Sequence, residues 1–280
     1  MAIQKVLITV TTYPLPSRSY DELVCTAGVL ENGQWIRIYP VPLQFLKGLR
    51  KDGKLESFKY NWIELDLKKR TDDFRPESHS PSNYGFQDMS VSGKIGTENN
   101  WSERKKYCTA NVYTNLTKLI SDSQAPTNIS LATFKPTEFL GFEIEEDERE
   151  WKKEWREQIN QLQMTFGEPD KKEQRELIPK LPYKFYYKFK DEDGTVSRLM
   201  IEDWEIGALF WNCLKSAEGV EAIALEKVRQ RYEKEFLNKK DLYLFLGTTR
   251  EWHMRRGRNP FVIIGVFYPK IETQTAIAFE

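Results

Sequence analysis

The chain has 280 residues, enough for one large or two intimately packed domains with a proper core. Its 42 basic and 42 acidic side chains cancel, which excludes a protein-wide field that would draw it onto nucleic acid and leaves only local patches for that role. Three distant cysteines, Cys25, Cys108 and Cys213, exclude a disulfide framework and a Cys-x-x-Cys metal knuckle, and no apolar run reaches the roughly 18 to 20 residues of a membrane span, so a cytoplasmic protein is expected.

In chain order, residues 5–10 and 24–39 read as strands, the second a hairpin around Glu31-Asn32-Gly33, where Asn-Gly supplies the positive φ of a tight turn. A short apolar helix is expected at 43–49 and a strand at 62–67. Residues 70–100 are polar and rich in Ser, Pro, Gly and Asn, which predicts a long surface loop. From Ser102-Glu103 the period becomes helical, with Val112, Leu116, Leu119 and Ile120 on one face, and a strand follows near 139–144. The charged stretch 145–176 carries Trp151, Trp155, Ile159 and Leu162 at helical spacing.

The second half opens with a hairpin, 183–189 and 196–201, across Asp191-Glu192-Asp193-Gly194. Helices at 203–216 and 219–237 and strands at 242–246 and 261–267 complete it. The pattern predicts an α+β protein whose antiparallel sheets curl into small barrels packed by helices. The expected organisation is a β-rich N-terminal domain with a helical insert over 1–170 and an α+β domain over 171–280.

Aromatic residues are 13% of the chain, with 8 Trp, above what a core of this size needs. Alternation sends Trp35, Arg37 and Tyr39 to one side of their strand, with Ile36 and Ile38 opposite. Such a ladder offers flat rings and a planar cation, the groups that stack on bases and hold phosphate. The strand at 183–190 repeats this with Lys184, Tyr186, Lys188 and Lys190 opposite Tyr183, Phe185, Tyr187 and Phe189, although an ordinary half-buried sheet has the same pattern. The loop 249–259 sets Arg250, Arg255, Arg256 and Arg258 against a single acid, Glu251, with Trp252 for stacking and Gly257 for close approach.

Two carboxylate groups suggest chemistry. Glu64, Asp66 and Lys68 share a strand face in the acid-x-Lys order of Mg²⁺-dependent nucleases, and Asp203 with Glu205 offers hard oxygen ligands at a strand-to-helix junction. For the latter, a helix cap is the plainer account. Histidine is limited to His79 and His253, so zinc sites and Cys-His catalysis are not expected.

The run Val24-Cys25-Thr26-Ala27-Gly28, followed by Gly33-Gln34-Trp35-Ile36-Arg37, resembles the Cys-x-Ala-Gly and Trp-Ile-Arg signature of bacterial dual OB-containing domain proteins. Arg75-Pro76-Glu77-Ser78, Asp203-Trp204-Glu205, Gly247-Thr248 and Ile263-Ile264-Gly265-Val266-Phe267 extend the resemblance over most of the chain. It implies OB-like barrels, a fold used for single strands and oligonucleotides, and a place in phage-defence or mobile-element biology. Where the resemblance implies a cysteine and histidine cluster ahead of Asp203, this chain has the stretch from Lys190 to Arg198 instead.

The sequence thus supports a DNA- or RNA-binding module using Trp35, Arg37, Tyr39, Arg250, Trp252, Arg255, Arg256 and Arg258, with no cofactor or metal. One alternative is a nuclease using Glu64, Asp66, Lys68, Asp203 and Glu205, for which Mg²⁺ would be required. The other is a protein-interaction scaffold that presents its surplus aromatics and the helix at 150–165 to a partner subunit.

Overall fold

The computed structural model describes residues 2–12, 15–16, 22–42, 50–51, 54–55, 59–84, 86, 88–151, 153, 179–255 and 257–272. The helix expected at 43–49, the part of the 145–176 helix carrying Trp155, Ile159 and Leu162, and Arg256 lie outside the described residues.

The first half is a closed five-stranded barrel. Strand β1 (Ala2–Thr11) pairs antiparallel with β3 (Glu22–Leu30), which also takes the two-residue β2 (Leu15–Pro16). Next comes β4 (Trp35–Pro42), antiparallel to β3. A small ladder of β5 (Arg50–Lys51) and β6 (Lys54–Leu55) precedes β7 (Asn61–Lys69), which returns to pair with β1. Closure comes from β8 (Ser78–Pro81), parallel to β4 and antiparallel to the end of β7. The beginning of β7 carries β9 (Ser90–Lys94) on that same side. Both β8 and β9 fall in the stretch expected as loop; neither has the apolar alternation that marks a strand in sequence.

Alternation decides what faces inward. Val6, Ile8, Ile36, Ile38, Ile63, Leu65 and Leu67 fill the barrel, while Leu7, Val10, Ala27 and Val29 point outward. The hairpin turn is the three-residue Glu31-Asn32-Gly33, with Gly33 at φ 78, a left-handed position that glycine adopts without penalty.

Helix α1 is assigned over Glu98–Cys108, but Asn99, Asn100 and Trp101 have φ of 47, 52 and 63, so its right-handed course starts at Ser102, where the sequence placed it. Three consecutive left-handed residues are costly for side chains with a Cβ. Trp101 anchors the run by packing against Phe267 and Tyr268, with ring centroids 5.3 and 4.9 Å away.

The second half holds two sheets. One joins β10 (Val112–Tyr113), β11 (Leu131–Phe134), β15 (Tyr243–Thr248) and β16 (Phe261–Phe267); the other joins β12 (Glu138–Glu146), β13 (Tyr183–Lys190) and β14 (Val196–Met200). Helix α2 (Leu116–Asp122) links β10 to β11. The boundary expected at residue 170 falls in the connection between β12 and β13, which pair along their length.

Helix α3 (Trp204–Ser216) and helix α4 (Glu221–Arg229), which runs on through a π-helical turn into α5 (Phe236–Lys239), supply Phe210, Val228, Tyr232 and Phe236 to this core. The aromatic side of β13 is buried there. Its lysine side is a solvated, ion-paired surface, with Lys184 on Asp147 and Lys190 on Glu138. The short α6 (Arg250–Met254) sits between β15 and β16.

A third apolar cluster joins the halves. Leu7, Val10, Ala27 and Val29 of the barrel pack with Leu131, Phe245, Ile264 and Phe267 of the second half.

Candidate functional site

The side of β4 that sequence alternation separated from Ile36 and Ile38 faces the second half instead of solvent. Trp35 stands edge-on to Phe245 at 5.0 Å, and Arg37 is 5% exposed. Arg37 Nη1 donates to Ser130 Oγ at 2.8 Å and Ser78 Oγ at 3.3 Å; Nη2 donates to the carbonyls of Ser130 at 3.2 Å and Thr248 at 3.4 Å. Burial pushes its guanidinium down to about 10, with Arg75 adding to the effect, which still leaves it charged at neutral pH. Tyr39 is half-buried beneath Arg70, whose guanidinium lies 5.5 Å from the ring centre. The expectation of an open Trp-Arg-Tyr ladder is therefore corrected: Arg37 is enclosed in the seam between the halves.

Arg37 belongs to a buried polar joint. Arg75 grips both oxygens of Asp73 at 2.6 to 3.2 Å and donates through Nη1 to the Thr248 carbonyl at 2.8 Å. Burial works against the Asp73 charge, but Arg75 holds the carboxyl well below the usual range. Glu77 accepts from the Ser130 amide at 2.9 Å and the Ser130 hydroxyl at 2.7 Å. Two arginines thus meet two carboxylates, which is how a buried cluster of charges is made tolerable.

Asp203 and Glu205 form a second joint. Asp203 is fully buried and caps α3 by accepting from the Glu205 amide. Both its oxygens accept from Lys59 Nζ, at 3.1 and 3.2 Å, and Glu205 Oε2 lies 3.0 Å from the same nitrogen. Burial opposes the Lys59 charge, but the two carboxylates outweigh it and hold the ammonium above its ordinary range. The capping account is the one the geometry shows, and Lys59, at the entry to β7, is a partner the sequence reading missed.

Glu64, Asp66 and Lys68 do lie on one side of β7, opposite the barrel interior, with Lys68 exposed. Asp66 Oδ1 and Ser82 Oγ are buried without hydrogen-bond partners. Among the described residues, no three His, Cys, Asp or Glu side chains gather closely enough to hold a metal ion.

One surface feature remains. Between the β7–β8 loop, the turn after α2, and α6 lies a cleft of about 470 Å³. Phe74 from the loop forms one wall; Ile120, Met254 and Pro260 add apolar surface, and Gln124 and Asn128 add amides. Phe74 stands edge-on to His253 at 4.9 Å and keeps 43% of its surface exposed. His253 is fixed at both nitrogens: Nε2–H donates to the Ser123 carbonyl at 2.5 Å, which leaves Nδ1 to accept from the Thr248 hydroxyl at 2.9 Å.

The basic loop borders this cleft. Trp252 is 54% exposed and Met254 56%. Arg255 reaches over the Trp252 ring at 5.9 Å and pairs with Glu251, Arg250 donates to the Asp72 carbonyl at 2.8 Å, and Arg258 is exposed with no ion pair among the described residues. The sequence reading found this loop but not Phe74, Gln124 or Asn128. An isolated Phe in the polar run Asp72-Asp73-Phe74-Arg75 was the available signal.

Fold and site together define an α+β barrel protein whose halves are locked by two buried polar joints and share an aromatic, arginine-rimmed cleft. The family model described as "Domain of unknown function (DUF8757)" matches residues 112–280, and "Domain of unknown function (DUF8758)" matches residues 2–110. The first spans more than half of the chain, so the chain belongs to the DUF8757 family. No curated protein matches it. Among solved structures, "Structure of murine DNA binding protein bound with ds DNA" aligns over 98% of each chain at 9% identity and a TM-score of 0.31, too low a similarity to inform fold or ligand. No helix among the described residues is long and apolar enough to cross a membrane.

Proposed function

We propose that this protein binds single-stranded nucleic acid, DNA or RNA, along the α6 edge and the adjoining cleft. The observation that carries this reading is the placement of two half-exposed aromatic rings, Trp252 and Phe74, beside Arg250, Arg255 and Arg258. Stacking on such rings contributes about 1–3 kcal/mol per base without regard to sequence, and guanidinium forks hold the phosphates between bases.

The barrel topology supports the same placement. Taking its strands in chain order, the spatial order is first, second, third, fifth, fourth and back to first, with the third and fifth parallel, as in an OB barrel. OB barrels bind oligonucleotides on the face of strands two and three and through the loops flanking it, including the one between strands four and five. Here that face is covered by the second half, while the loop between strands four and five carries Phe74 to the cleft. Binding thus moves from the sheet to the loops.

The test is fluorescence anisotropy of labelled single-stranded DNA and RNA at two salt concentrations. Three phosphate contacts at roughly −0.7 each give a slope of log K against log salt of about −2. Arg255→Ala with Arg258→Ala should weaken binding and flatten that slope, whereas Trp252→Ala should weaken it and leave the slope unchanged. Absence of binding to either polymer by the wild-type protein refutes the proposal.

A further inference from the structure

We infer that the cleft receives a single unstacked nucleobase, which stacks on Phe74 and is read along its edge by the amides of Gln124 and Asn128. This deepens the reading above and rests on it.

The division of charge between cleft and rim selects the ligand. None of the described residues lining the cleft carries a full charge, since burial lowers the His253 imidazole below its ordinary range, with Arg75 acting in the same direction. The described cations of the rim, Arg250, Arg255 and Arg258, are not among the lining residues. Among the described lining residues a phosphate or carboxylate would find no counter-charge, whereas a flat, uncharged ring with hydrogen-bonding edges meets apolar walls and amides. A volume of about 470 Å³ falls within the range of roughly 300–1,000 Å³ usual for small-ligand sites, ample for one base and its sugar.

The amides are free to read. The Gln124 side chain has no hydrogen-bond partner among the described residues, so its oxygen and nitrogen are both available. Asn128 uses Nδ2 on the Pro126 carbonyl at 3.2 Å, and its Oδ1 remains open. Side-chain amides that offer donor and acceptor together are the usual readers of base edges once a base leaves its stack.

The floor is preformed. Asn128 sits at φ 52 in a turn closed by its amide donating to the Gln124 carbonyl at 2.9 Å, and His253 is pinned by Ser123 and Thr248 beneath Phe74. Binding therefore orders little that was loose before, which favours affinity.

The experiment compares a labelled single-stranded oligonucleotide with the same backbone made fully abasic, using the full chain and the variants Phe74→Leu and Gln124→Ala. Both substituted positions are at least partly exposed, and thermal melts establish that the variants fold. The expected result is at least a tenfold loss of affinity for the abasic strand and about tenfold for Phe74→Leu on the normal strand. The salt slope should not change, and Gln124→Ala should alter the ranking among homopolymers. If the normal strand binds and the Arg255→Ala, Arg258→Ala variant weakens it, yet Phe74→Leu and Gln124→Ala bind as wild type does, the base pocket is refuted and the surface reading stands. If no oligonucleotide binds, both fall.

Discussion

Arg37 Nη1 lies 2.8 Å from Ser130 Oγ, and this contact ties strand β4 of the barrel to the residue just before β11 in the other half. Its guanidinium serves oxygens on Ser78, Ser130 and Thr248 at once. Replacing it with Met keeps an unbranched apolar stem and removes the guanidinium, leaving those oxygens and the neighbouring carboxylates short of a cation. The expected loss is about 3–5 kcal/mol of stability in urea unfolding, with nucleic-acid affinity of the folded fraction unchanged. Lys at the same position should not rescue it, because one ammonium lacks the planar fork.

Lys59 and Asp203 should show strong coupling. Asp203→Leu removes the principal partner of a buried ammonium together with a helix cap, and Lys59→Met strands a buried carboxylate; each single change should cost about 3–5 kcal/mol. The double variant should be less destabilised than either single variant, since an apolar pair of similar volume is tolerated where a lone charge is not. A double-mutant cycle by thermal or urea unfolding reads this directly.

The two histidines should make a contribution to stability that fades on mild acidification. Burial, then Arg75 and Arg37, push His253 below its ordinary range, while the Ser123 carbonyl opposes them; burial likewise lowers His79. The unfolded chain takes up these protons near pH 6.5, whereas the folded state resists them. The contribution is therefore complete above about pH 6.5 and is lost as pH falls through the folded values. Between pH 8 and 5 the melting temperature of His253→Gln should fall less than that of the wild type.

Gly28→Ala should destabilise the barrel by about 1–3 kcal/mol or more in urea unfolding. A Cβ at this position would lie 2.3 Å from the backbone oxygen of Leu7 and 2.8 Å from Val6 Cγ1. The backbone of β1 cannot retreat without breaking its pairing with β7.

Much of the fold was legible because most strands carry period-two alternation, as in 183–190, where Phe185, Tyr187 and Phe189 are each 0% exposed. What failed to show included β8 and β9, the short β11, and β10, whose Val112 reads onto a helical face. Ser78-His79-Ser80-Pro81 has no apolar residue to alternate; it is a strand because β4 and β7 lie on either side of it. The candidate site was half legible. Charge and an aromatic marked the Arg250–Met254 helix, whereas the cleft depends on Phe74, Gln124 and Asn128, brought together from distant segments by the docking of the halves. The Trp35-Arg37-Tyr39 reading shows the converse difficulty. Alternation places these residues on one face, but it cannot tell water from a second layer of protein. Arg37, Arg75, Glu77, Ser78 and Thr248, all within motifs that carried the family resemblance, meet in one joint, so those motifs describe how the halves fasten together.

The covered face of the barrel makes each half the other's lid. Cut between residues 110 and 112, the first segment would present Trp35, Leu7 and Val29 to water around an arginine that keeps Ser78 but loses its oxygens on Ser130 and Thr248, a surface both adhesive and cationic. Such a fragment would cling to polyanions and to its own copies for reasons unrelated to what the intact chain recognises. Affinity measured on the isolated barrel would report the wound left by the cut.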